Sequence, residues 1–152
     1  MKELLDRIEY LLSLQERLVN LLMFSGSSSI RLSTNTAFDL LYHNIELIDL
    51  IEDLISSQEG FLEDYPLNLV LEALSWMGII FPAIEESCPI FLQGIAKEDP
   101  IYRIKLILKM VEDYYSSKDY HSLIRVAEEL RNLSNLLKYQ LILARRSYMN
   151  LA

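Results

Sequence analysis

His43 and its neighbours are the nearest this sequence comes to a chemical site. On a helix the residues at i−4 and i+3 from His43 are Asp39 and Glu46, so one surface would carry two carboxylates around an imidazole. That grouping suits a divalent metal, and an exposed imidazole on a helical bundle could also accept a phosphoryl group. The residues that follow, Asn44-Ile45-Glu46, are not the Lys and small residues of histidine phosphotransfer domains. A solvated acidic face that contains one histidine accounts for the same pattern. His121 follows Asp119-Tyr120 and reads as part of a helix start. Neither histidine has an Arg four to six residues before it, so the helical ribonuclease motif of the HEPN class is missing. The chain has no paired Glu-x-x-His, no phosphate-binding glycine loop and no Gly-x-Ser-x-Gly elbow. Cys88, between Ser87 and Pro89, reads as a structural thiol and leaves no partner for an intrachain disulfide. These absences predict a protein that is not an enzyme and that holds no cofactor and no metal.

Two other groups of side chains could meet a partner. Trp76, Met77, Phe81, Phe91 and Leu92 lie on or beside an apolar run broken by prolines. Residues 67–96 hold more apolar surface than one small bundle readily buries, and Trp, Met and Phe are enriched at interfaces. The competing reading is that they are core. The second group is Arg131, Lys138 and Arg145, spaced by seven and joined by Arg146. On a helix the three stack into one stripe. Such a stripe can receive an acidic segment or a nucleic-acid backbone, or complement the acidic middle of its own fold. Without aromatic interleaving it is weak for nucleic acid.

The elements that must position these residues are helices. Val occurs four times and Thr twice, which is unfriendly to a sheet. Leu4, Ile8, Leu11, Gln15, Leu18 and Leu22 step by four and three and predict a first helix over 2–23, with Gln15 a polar intrusion on the buried row. Ser25 to Ser29 break it. A second helix is expected over about 36–56, capped by Asn35 or Thr36. A third starts at Pro66 and is apolar on nearly all sides, as a central helix or an oligomer interface would be. Pro82 and Pro89 are expected to cut the following stretch into short pieces. Asp99-Pro100 opens a helix over about 100–116, whose buried row is read as Ile101, Ile104, Leu108, Val111 and Tyr115. The last helix spans about 119–150 and buries Val126, Leu130, Leu133, Leu137, Leu141, Ala144 and Tyr148. Residues 51–57 resemble residues 111–117, an offset of 60; two copies of a helical hairpin could explain this, and chance is the stronger reading because the match covers one helix end.

Composition agrees. One ordinary domain fits 152 residues, 51% hydrophobic and 24% charged, which excludes a disordered acidic tail. The net charge of −8 argues against a protein that coats nucleic acid. It conceals a segment, 35–100, with thirteen acids and one base, and a segment, 101–152, with nine bases and five acids. No secretory leader is evident, the apolar stretch 67–84 is interrupted by Asn68, Glu72 and Pro82, and a cytoplasmic protein without membrane partners is expected. The sequence therefore predicts a single all-α domain over 1–152, an irregular bundle of five or six helices. Its expected function is that of a non-enzymatic protein-binding module, an adaptor, chaperone or assembly subunit, using the apolar surface around 67–96. Its partner would be another protein or a second copy in a homodimer. The alternatives are a helical subunit of a nucleoprotein complex, gripping backbone through Arg131, Lys138, Arg145 and Arg146, and a metal or phosphoryl site at His43.

Overall fold

The computed structural model describes residues 2–23, 32–58, 61–87 and 99–150. They form an all-α domain of five helices: α1 (Lys2–Met23), α2 (Thr34–Ser57), α3 (Asp64–Ser87), α4 (Pro100–Ser117) and α5 (Tyr120–Asn150).

Local chemistry sets the ends. The Ser33 hydroxyl, not Asn35 or Thr36, caps α2 and accepts from the Thr36 amide at 3.2 Å. Asp99 caps α4, its carboxylate accepting from the Ile101 amide at 3.0 Å with Pro100 behind it. Asp119 does the same for the His121 amide at 3.0 Å, so His121 is a helix-start residue. α3 begins two residues before Pro66, whose missing N–H falls in the first turn, where no intrahelical acceptor exists. Pro82 does not cut α3. Its ring lies on the exposed side, where water reaches the unpaired carbonyl, while Ile80, Phe81, Ala83 and Ile84 are buried around it. Pro89 and the segment after it lie outside the described residues.

Helices α2, α3, α4 and α5 close a ring in which each packs on the next and α5 returns to α2. α1 lies outside the ring, against α2 and α3. Three helices thus surround α3, which explains why it is apolar almost all round. Among the described residues α3 alone is long and apolar enough to cross a membrane, and much of that stretch is buried inside the bundle.

The buried row of α4 sits one position away from the expected one. Ile104, Ile107, Val111 and Tyr114 are buried, Ile101 and Leu108 are half-buried, and Tyr115 is exposed. The phase is fixed by Tyr114, whose hydroxyl accepts from the buried Leu62 amide at 3.0 Å and so ties the α4 end to the α2–α3 connection.

The offset of 60 carries part of the buried face of α2 onto that of α4: Asn44 onto Ile104, Leu47 onto Ile107, Ile51 onto Val111 and Leu54 onto Tyr114, all buried, whereas buried Ile45, Ile48 and Ile55 fall on exposed Lys105, half-buried Leu108 and exposed Tyr115. It carries α3 onto α5: Leu67 onto Ala127, Val70 onto Leu130, Ala73 onto Leu133, Met77 onto Leu137, Phe81 onto Leu141 and Ile84 onto Ala144, again all buried. The likeness in burial thus extends along α3 and α5, while the two hairpins differ in how closely their helices pack, α4–α5 more closely than α2–α3.

Gln15 is fully buried in α1, and neither atom of its amide finds a hydrogen-bond partner. A buried donor and acceptor left unmade destabilise by about 1–3 kcal/mol. Gln15→Leu is expected to raise the free energy of unfolding by that amount, read as a higher urea midpoint with an unchanged slope. A lower midpoint would mean that the amide is satisfied in solution.

Candidate docking surface

The residues expected to meet a partner at 67–96 are turned inward where they are described. Met77 and Phe81 are fully buried in the ring's core. Trp76 is half-buried and packs against that core from the side of α3. Phe91 and Leu92 lie outside the described residues, as does Cys88. Among the described residues much of the apolar surface of α3 is absorbed because it has neighbours on three sides, Ile79 remaining 50% exposed.

The basic stripe faces α2 and not open solvent alone. Arg131 binds Glu52 at 2.7 Å. Lys138 binds Asp49 at 3.0 Å, and the same carboxylate accepts from the Ser134 hydroxyl at 2.5 Å. Arg145 lies over the Tyr42 ring, 5.0 Å from its centroid. Three of the four bases thus stitch α5 to the acidic α2. Arg146 is exposed and makes no ion pair among the described residues.

The carboxylate–histidine group comes apart in the same way. Glu46 turns to α1, where the Arg7 guanidinium donates to it at 2.8 Å. That hydrogen bond, aided by the Glu46 charge, raises the Arg7 pKa. His43 is half-buried and Asp39 exposed. Among the described residues no group of three or more His, Cys, Asp or Glu side chains is placed to hold a metal ion. An open groove of about 280 Å³ between α2 and α5 is lined by Ile55, Tyr120, Ile124 and Ala127. Its rim carries exposed Glu128 and Arg131, the latter already paired with Glu52.

What remains is exposed apolar surface in two places on the outside of α4–α5, a pair on α4 and a band on α5. Tyr102 and Leu106, one turn apart on α4, are 56% and 40% exposed. Tyr139, Ile142 and Leu143 share one face of α5 and are 61%, 50% and 42% exposed. The pair Arg103–Glu129, at 3.7 Å, sets the antiparallel register of the hairpin. Since α4 has 18 residues and α5 has 31, roughly four turns of α5 run past the start of α4, and they carry Tyr139, Ile142 and Leu143. Lys105, Lys109, Arg125 and Arg146 are exposed on the two helices, with Asp113 and Glu128 toward the turn. No acid follows Glu129 in the chain.

Sequence reasoning missed this band. Its only signal was a second set of apolar residues, 139, 142 and 143, lying off the buried row of α5.

A protein-family model described as "Uncharacterized protein" matches residues 1–151. No curated protein and no solved structure matches the chain.

Proposed function

The chain belongs to the family described as "Uncharacterized protein", matched over residues 1–151, and we propose that it serves as a non-enzymatic, intracellular protein-binding module that docks its partner on the outer face of α4–α5. One observation carries this reading. Tyr139, Ile142 and Leu143 form an exposed apolar band on the part of α5 that runs past the start of α4, with Arg146 exposed on the same helix, and Tyr102 and Leu106 add an exposed apolar pair on α4. Scattered single apolar residues are normal on a surface, whereas several on one hairpin face mark a site of contact. Tyrosine in particular contributes large contact area with few rotamers to lose.

Two other readings receive less support. Gripping nucleic acid through Arg131, Lys138, Arg145 and Arg146 would require the first two to leave Glu52 and Asp49. A metal held by His43 with Glu46 would require Glu46 to leave Arg7, and a phosphoryl group would have to reach a half-buried imidazole.

Photo-crosslinking in the native cell tests the proposal. A benzophenone amino acid placed at Tyr102 or Tyr139 is expected to give a discrete crosslinked band, and the same group at Ser75, exposed on α3, none. Equal labelling from all three positions, or none from 102 and 139, would refute it.

A further inference from the structure

The ring of α2–α5 closes without α1. Each of its sides is a contact between two of those four helices, so taking α1 away opens none of them. α1 rests on α2 and α3 and has the least contact of the five helices. Its hold is apolar, through buried Ile8, Leu11, Leu12 and Val19. The polar groups of the seam do little to help. Gln15 follows Leu11 by four positions and Ile8 by seven, so it lies on the docked face. Its amide is fully buried with both atoms unpartnered, and water would satisfy it once α1 moved clear.

The two edges of α1 carry charge of opposite effect. On the α3 side, Glu9 and Glu16 of α1 and Glu72 of α3 line one open cleft of about 260 Å³ with Leu12, Ser13 and Leu69, and no base lines it. Like charges therefore face each other across that edge and push it apart. On the α2 side Arg7 and Glu46 meet at 2.8 Å, the one ion pair between α1 and the ring among the described residues. Both side chains are partly exposed to water, and an exposed pair holds weakly.

We infer that α1 is a cover that opens as one unit while α2–α5 stay folded, and that the charges along its seam set how often it opens. The open state bares the α2–α3 face around Leu69, which is buried when α1 is in place. The device is independent of the docking role proposed for α4–α5, which involves neither α1 nor its seam. Segments with few buried apolar contacts open at a lower free energy than the whole fold, and α1 meets that condition.

Native-state hydrogen exchange of the full chain, followed by NMR at rising urea below the unfolding midpoint, tests this. The amides from Leu11 to Val19 are expected to share one opening free energy and one shallow urea slope. Their protection should be lower by roughly tenfold or more than that of Leu47, Ile51 and Leu133, which are fully buried in the ring. Glu72→Lys, which sets a base opposite Glu9 and Glu16, should raise the protection of α1 by about threefold, and Arg7→Glu should lower it by about threefold. Both effects should fade in about 0.5 M NaCl. Gln15→Leu should raise the protection by about tenfold. Protection that declines gradually toward one end of α1 would be fraying, and protection and slope equal to the ring's would make α1 part of the global unit; either result overturns the cover. Unchanged or faster exchange of α1 in Glu72→Lys overturns the control by charge.

Discussion

Phe81→Ala is expected to lower the free energy of unfolding by about 3–5 kcal/mol, the usual cost of emptying a buried aromatic site. Phe81 is fully buried, in the middle of α3, with Met77 one turn before it and Ile84 one turn after, both buried as well. A shell on three sides of α3 cannot collapse easily into the space a phenyl ring leaves, which places the expected loss toward the upper end. Urea unfolding followed by circular dichroism measures it. The result also discriminates between two roles for this residue. Were Phe81 an exposed partner anchor, the alanine variant would unfold at the same midpoint and lose only binding. A change below about 0.5 kcal/mol, the range of neutral surface substitutions, would contradict the core placement.

Tyr114 separates two contributions that Phe81 merges. Tyr114→Phe keeps the ring and removes the acceptor of the Leu62 amide, leaving a buried N–H unmade, at a cost of about 1–3 kcal/mol. Tyr114→Ala removes the ring as well and should reach about 3–5 kcal/mol. Amide exchange at Leu62 is the direct readout: it should accelerate in both variants. If Tyr114→Phe leaves stability and Leu62 exchange unchanged, water has replaced the phenol and the tie between α4 and the α2–α3 connection carries no weight. The adjacent Tyr115, exposed and with the Lys118 ammonium 4.8 Å from its ring centroid, provides the contrast and should tolerate alanine with little loss.

Periodicity made the helices legible, and composition made the absence of strands legible, because both depend on local spacing. Ends were read to within a few residues wherever a side chain caps the backbone, as at Asp99. The Pro82 expectation failed because proline disfavours a helix interior locally, whereas burial of the residues on both sides holds this one in place. The phase of α4 failed for a related reason. Leu108 and Tyr115 make as good a row as Ile107 and Tyr114, and only the Leu62 amide, 52 positions away, decides between them. The candidate site was the least legible part. Whether Trp76, Met77 and Phe81 are surface or core depends on how many helices pack on α3, a tertiary quantity. The basic stripe was legible as a stripe, and its partners on α2 were foreshadowed by the acidic middle of the chain.

The α2–α5 seam has a kinetic consequence. Three sides of the ring are made by helices that follow one another in sequence and can meet early, since short connections close cheaply. The fourth side joins residues 79 and 85 positions apart, Arg131 with Glu52 and Ser134 with Asp49. Contacts of such separation are expected to form after the main barrier has been crossed. The ion pairs of this seam would then do little to speed folding and would act mainly on the rate at which the ring opens.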